Sequence, residues 1–134
     1  MSYDLMVFDP AAPPGDRVGF LAWYADVARM GDGRAAKDPT ACAPALQAWY
    51  RDIVRLFPAI SGPDAYDNKN AAEYRFAPTA IFAGFQWEAS RQALMRASML
   101  ARTHNVGFFD ASGDTAAVWG PSDKGVYKLI HKSE

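Results

Sequence analysis

Two segments of the chain carry the same residue pattern, and this repeat limits the possible folds more than any other feature. Residues 20–30 and 46–56 both contain Ala-Trp-Tyr-x-Asp-x-x-Arg. In each segment apolar residues recur three or four positions apart, which is the spacing of one face of an α-helix. Two copies are fewer than the three or more that a solenoid needs. We therefore expect two similar amphipathic helices packed on one sheet.

The residues around these segments predict where each helix begins and ends. Asp16 can cap the first helix, because its carboxylate can accept hydrogen bonds from free backbone amides, and Gly31-Asp32-Gly33 ends that helix. Pro44 suits the first turn of the second helix, and Pro58 ends it. Within each helix, the Asp and the Arg three positions later can pair across one turn.

The other segments predict strands and a third helix. Residues 3–8 are mostly apolar and predict a first strand. Residues 74–86 predict one strand or two, because Pro78 marks an edge, a bulge or a break. A third helix from residue 87 or 88 to 104, a short strand at 106–110 and a hairpin of 115–119 with 125–131 follow.

The sequence therefore predicts a single α+β domain over residues 1–134. Its element order is β-α-α-β-α-β-β, with a mixed sheet and three helices packed mainly on one face. The predicted core includes Trp23, Trp49, Ile53, Leu94 and Leu100.

Composition excludes several classes of protein. The formal net charge of −1 gives no long-range attraction to nucleic acid or to anionic lipid. Cys42 is the single cysteine, so no intrachain disulfide is possible. No basic, apolar leader and no stretch of about 18 apolar residues is present. We expect a cytoplasmic protein that binds neither nucleic acid nor membranes; its oligomeric state is left open.

The sequence contains few residues in catalytic or metal-binding patterns. Cys42, His104 and His131 lie far apart, without the fixed spacing of zinc ligands. The segment that begins at Asp67 resembles a calcium loop but has Ala72 in place of the required glycine. The sequence therefore predicts no metal and no cofactor. Cys42 precedes a helix start, where a thiol pKa can fall, but the favoured interpretation is a small apolar filler.

The predicted loop over residues 58–73 is the first candidate for a binding surface. Long loops without secondary structure are uncommon in compact domains and often carry function. Its polar and aromatic residues would suit a partner with a basic active site, with charge pairing that speeds association. The alternative is a solvated connector whose Asn and Asp residues serve turn chemistry. The candidate partner-binding residues are Asp64, Tyr66, Asp67, Glu73 and Tyr74.

The third helix offers a second candidate surface. Arg91, Met95, Ser98 and Arg102 lie on one helical face, and Met and Arg are favoured at protein interfaces. The alternative is a solvated face above a seam of small residues. That seam consists of Ala93, Ala97 and Ala101.

Several motifs together resemble a known group of proteins. They are Ser2-Tyr3-Asp4-Leu5-Met6-Val7-Phe8-Asp9, Phe20-Leu21-Ala22-Trp23-Tyr24, Asp38-Pro39-Thr40, Pro44-Ala45-Leu46 with Ala48-Trp49, Phe57-Pro58, and His104-Asn105-Val106-Gly107-Phe108-Phe109-Asp110. This set resembles small bacterial immunity-type proteins found near secreted polymorphic toxins, over most of residues 1–110. Members of that group are more acidic in the middle loop, which Lys69 and Arg75 dilute here, and tend to end near residue 119.

The resemblance implies a module that binds and neutralises a cognate toxin protein, and not an enzyme. A structural or adaptor subunit is the alternative, followed by a small enzyme that uses carboxylates such as Asp67 and Glu73 in a cleft.

Overall fold

The computed structural model of the chain describes residues 2–30, 38–60, 62 and 67–133. Within them lie six strands and three α-helices. The strands are β1 (Ser2–Phe8), β2 (Ala72–Ala77), β3 (Ala80–Gln86), β4 (Gly107–Phe109), β5 (Val118–Pro121) and β6 (Tyr127–His131). The helices are α1 (Arg17–Met30), α2 (Pro44–Leu56) and α3 (Ser90–Thr103), with 3-10 turns at Pro39–Ala41 and Trp87–Ala89. The α+β class and the order of elements are as predicted, and residues 74–86 form two strands that turn at Pro78.

The six strands form one sheet in the order β2-β3-β1-β4-β5-β6. Every pair of adjacent strands is antiparallel, so the predicted mixed sheet is corrected to an antiparallel one. The reason lies at β1, which pairs with β3 on one side and with β4 on the other. The connection through α3 therefore joins two strands that run in the same direction but are separated by β1.

The helices cover both faces of the sheet. Leu5 and Val7 of β1 belong to the core that contains α2 and α3, whereas Met6 and Phe8 belong to a second core beneath α1. The prediction of helices on one face holds for α2 and α3, but α1 packs on the opposite face. Because β1 is central and buried on both faces, its apolar residues are consecutive and do not alternate with polar ones.

The α2–α3 core is built on small residues in α3. Ala93, Ala97 and Ala101 are fully buried and let the helix lie close to its neighbours. Trp49 of α2 is also fully buried, and its indole N–H donates a hydrogen bond to the carbonyl of Ala97 at 3.1 Å. Of the predicted core, Trp49 and Ile53 are buried. Trp23, Leu94 and Leu100 are partly buried against the two cores.

The repeated Asp-x-x-Arg pattern has different partners in its two copies. In α1, Asp26 pairs with Arg29 across one turn, as predicted. In α2, Asp52 instead accepts from His104, at 2.6 Å. His104 follows the last turn of α3, so this contact joins the end of α3 to the side of α2.

Candidate functional site

Two concave surfaces lie on opposite faces of the sheet. The first surface is mostly apolar, and we call it the aromatic groove. Its volume is about 600 Å³. One wall comes from α3, through Leu94, Ser98, Met99, Arg102 and Thr103. The other wall comes from the sheet, through Phe108, Asp110, Trp119 and Tyr127.

Strand register places the aromatic rings of the groove side by side. Phe108 of β4 pairs with Trp119 of β5, and Trp119 pairs with Leu129 of β6. Paired residues on neighbouring strands point to the same face, so these rings share the face that α3 partly covers. Tyr127 is two residues from Leu129 on β6, and its hydroxyl donates to the carbonyl of Val106 at 2.8 Å.

Apolar side chains in and beside the groove remain open to solvent. Trp119 is 37 % exposed and Met99 is 55 % exposed. On α3 the exposed Met95 lies one turn before Met99, and Trp87 is exposed in the 3-10 turn that precedes the helix. Large apolar side chains grouped on a surface in this way mark interaction sites more often than single exposed residues do.

Two charged residues of the groove, Arg102 and Asp110, each contact a different tyrosine. The Arg102 guanidinium lies over the ring of Tyr127, 5.5 Å from its centroid, in cation–π geometry. Asp110 is half-buried and accepts a hydrogen bond of 2.5 Å from the hydroxyl of Tyr3. Burial raises the pKa of the Asp110 carboxyl above its ordinary value, whereas the bond from Tyr3 acts in the opposite direction. Burial also raises the pKa of Tyr3.

The second surface is a polar cleft of about 700 Å³ on the face that α1 partly covers. Asp4 of β1 and Glu73 of β2 both pair with Gly84 of β3, so the two carboxylates flank a glycine in one row. A Cβ at Gly84 would lie 3.0 Å from Oδ1 of Asp4, so the glycine keeps the floor open. Arg75 lies over the ring of Phe82 in the next row, 5.1 Å from its centroid.

Tyr24 of α1 lines the same polar cleft. Burial raises the pKa of its phenol, and the Asp4 carboxylate raises it further, while Arg75 lowers it. The cleft thus combines two carboxylates, a guanidinium and a phenol.

The predicted partner-binding residues that the structure describes, Asp67, Glu73 and Tyr74, do not share one surface. Asp64 and Tyr66 lie outside the described residues. Asp67 is exposed in a left-handed backbone conformation, φ 53°, and lines neither surface. Glu73 is exposed but belongs to β2 and faces the polar cleft.

Tyr74 requires a correction. It was expected to be an exposed aromatic anchor, but it is buried and its hydroxyl donates to the carbonyl of Phe57 at 2.6 Å. The predicted loop over residues 58–73 is too long by two residues, since β2 already begins at Ala72. Successive strand residues point to opposite faces, so Glu73 and Tyr74 are on opposite sides of the sheet.

Two residues of the second predicted surface, on the third helix, lie in the aromatic groove. Ser98 and Arg102 line the aromatic groove, and Met95 is exposed on the same helix. The sequence interpretation missed Tyr3, Asp110, Trp119 and Tyr127. Asp110 directly follows the apolar strand residues Phe108 and Phe109, and a polar residue at a strand end is the signal that could have pointed to it.

Cys42 is a buried core residue and not an activated thiol. It follows the 3-10 turn, is 4 % exposed, and its thiol donates to the carbonyl of Ala77 at 3.1 Å. Burial raises the pKa of the Cys42 thiol from 9.0 to about 11. The favoured interpretation of Cys42 as a small core residue fits this position, and a lowered pKa at the helix start is wrong because burial raises the pKa of the thiol.

We expect Cys42 in the folded protein to resist iodoacetamide at pH 8. With the pKa raised to about 11, the folded protein has about 100-fold less thiolate at this pH than the unfolded chain. Mass spectrometry after a timed reaction, with and without 6 M urea, measures this difference. Because the folded pKa is the higher one, the thiol contributes stability that is lost as pH rises from about 9 towards 11. Equal labelling in both states would contradict the buried position.

Within the described ranges, no group of three or more His, Cys, Asp or Glu side chains is arranged to hold a metal ion. None of the helices in the part of the chain that the structure describes is long and apolar enough to cross a membrane. No family model, no curated protein and no solved structure matches the chain.

Proposed function

We propose that the chain is a protein-binding module that binds and neutralises a cognate toxin domain in the cytoplasm, with the aromatic groove as its contact surface. The groove is the observation that carries this proposal. It combines exposed Trp119 of β5 with Met99 and Arg102 of α3. Trp, Met and Arg are enriched in protein interfaces, and Trp and Arg are frequent among the residues that dominate binding energy.

The shape of the site also suits a protein partner. The two walls come from a helix and a sheet, so the contact surface is displayed by rigid elements and needs little ordering on binding. Exposed Met95 and Trp87 extend the apolar area beyond the groove. The resemblance of the sequence to immunity-type proteins names the class of partner, a toxin encoded beside this gene.

The test is a binding measurement with that toxin domain. Isothermal titration calorimetry should show binding to the native protein, and the double variant Trp119→Ala/Met99→Ala should bind at least tenfold more weakly. Tenfold corresponds to about 1.4 kcal/mol. Because neither side chain belongs to the two buried cores, the variant should stay folded, which circular dichroism can verify.

Two control variants make the result specific. Val18→Ala removes an apolar side chain that is 79 % exposed on α1, away from the groove, and affinity should change by less than about threefold, or about 0.7 kcal/mol. Asp4→Asn/Glu73→Gln removes the charges of the polar cleft and should have an equally small effect. If the cleft variant weakens binding and the groove variant does not, the contact surface is on the other face. Absence of binding by the native protein would contradict the proposed function.

A small carboxylate-dependent enzyme is the second candidate, and the polar cleft is the observation that favours it. The carboxylate beside Glu73 is that of Asp4 and not the expected Asp67. An enzyme built on this cleft would lose turnover in Asp4→Asn/Glu73→Gln, whereas toxin binding through the groove would survive in the same variant.

A further inference from the structure

We propose that the aromatic groove accepts a cationic side chain of the partner protein, an arginine or a lysine, with Asp110 as its counter-ion. This inference rests on the proposed function and names the chemistry of the partner's central contact. It depends on three features of the groove: a fixed carboxylate, aromatic rings in the same lining, and no ion pair to that carboxylate among the described residues.

The carboxylate of Asp110 is held in place before any ligand binds. Tyr3 donates to one oxygen at 2.5 Å. The other oxygen lies against Gly113, where any Cβ would overlap it. A carboxylate fixed on two sides needs little reorganisation when a cation approaches, and such preorganisation favours binding.

Aromatic rings share the lining of the groove with Asp110. Phe108, Trp119 and Tyr127 line the groove with Asp110. Tyr3, which donates to the carboxylate, is in contact with Trp87, with 5.8 Å between their ring centroids. The faces of aromatic rings attract cations, and a guanidinium can stack on a ring while it donates to a carboxylate.

Charge is the deciding feature. Within the described part of the chain, no cationic side chain forms an ion pair with Asp110. The charged group that acts on its carboxyl is a second acid, Asp114. Arg102 also lines the groove, but its guanidinium lies over the Tyr127 ring and does not pair with Asp110. A half-buried carboxylate that has no paired cation can form an ion pair with a cationic side chain of a binding partner.

The arrangement also limits the guest. Asp110 is the acidic residue of the lining, and Asp114 acts on its carboxyl from outside that lining, whereas Arg102 is the basic residue. A side chain such as arginine, carried on a backbone whose carbonyl groups can accept from Arg102, satisfies both residues of the lining. A carboxylate guest would satisfy Arg102 but would be repelled by the two acids.

A pair of small probes tests the inference without changing the protein. N-acetyl-arginine methylamide is titrated into the protein while two-dimensional NMR spectra record the backbone amides of residues 108–110 and the indole N–H of Trp119. N-acetyl-citrulline methylamide has nearly the same shape but no charge, and serves as the matched control. We expect saturable shifts at these positions for the arginine probe, and at least tenfold weaker binding for citrulline. Equal binding of both probes, or shifts confined to other positions, would overturn the inference.

A variant then assigns the counter-ion. Asn at position 110 can still accept from Tyr3, so Asp110→Asn should keep its fold while it loses the charge. The arginine probe should bind this variant at least tenfold more weakly, and Asp4→Asn/Glu73→Gln should bind it like the native protein. An unchanged affinity in Asp110→Asn would show that Asp110 is not the counter-ion.

The toxin domain separates this inference from the proposed function. If the toxin binds the native protein and Asp110→Asn equally well, the module function stands and the cationic contact is wrong. If the arginine probe binds but the toxin does not, the groove binds free cations, and both the toxin partner and the assignment to its side chain are wrong. Loss of both toxin and probe affinity in Asp110→Asn is the expected result.

Discussion

Replacing Trp49 by alanine should lower the free energy of unfolding by about 3–5 kcal/mol, the cost typical of a buried tryptophan. Trp49 of α2 is fully buried where this helix packs against α3. Its indole N–H donates to the carbonyl of Ala97 at 3.1 Å. The substitution removes a large apolar volume and this hydrogen bond at once. The neighbouring alanines, Ala93 and Ala97, are too small to fill the cavity.

Urea unfolding followed by circular dichroism measures the change, because that signal does not depend on tryptophan. Trp119→Ala is the matched control, since it removes the same side chain from a position that is 37 % exposed. The control should cost clearly less than Trp49→Ala, because Trp119 belongs to neither buried core. If both variants lose the same stability, Trp49 does not hold α2 and α3 together in the way the contacts indicate.

Much of the fold could be predicted because its signals are local. The apolar spacing of α2 places Leu46, Trp49 and Ile53 on one buried face, as helical periodicity requires. The position of α1 was harder to predict, since it depends on which strand is central. The consecutive apolar residues Leu5 to Phe8 do signal a strand buried on both faces, but they do not say which helix covers each face.

The candidate site could be predicted only in part, for two physical reasons. Glu73 and Tyr74 are neighbours in the sequence, and they were placed together on a loop, but strand geometry sends their side chains to opposite faces. Conversely, Tyr3 and Asp110 are 107 residues apart and meet because of the pairing between β1 and β4. A register between distant strands leaves no mark in a local pattern, so the aromatic groove could not be assembled from the sequence.

That same register between β1 and β4 leads to the second large effect, at Gly107. Phe8 of β1 pairs with Gly107 of β4, and the Phe8 ring lies across the glycine so closely that a Cβ there would overlap Cε2 and Cζ of the ring. A glycine inside a strand often marks such a close approach. The ring cannot move aside easily, because Phe20 and Trp23 contact it, with centroids at 5.4 and 5.7 Å.

Gly107→Ala should therefore destabilise the protein by about 2–3 kcal/mol, at the upper end of the usual cost of adding a methyl group to a packed core. The measurement is urea unfolding in two backgrounds, the native protein and Phe8→Leu. Leucine lacks the outer ring atoms that the new methyl group would meet, so Gly107→Ala should cost less than about 1 kcal/mol in the Phe8→Leu background. The same cost in both backgrounds would mean that the Phe8 ring is not the obstacle. Relief by Phe8→Leu would show that the close approach of the Phe8 ring requires glycine at position 107, in the strand that carries Phe108 to the aromatic groove.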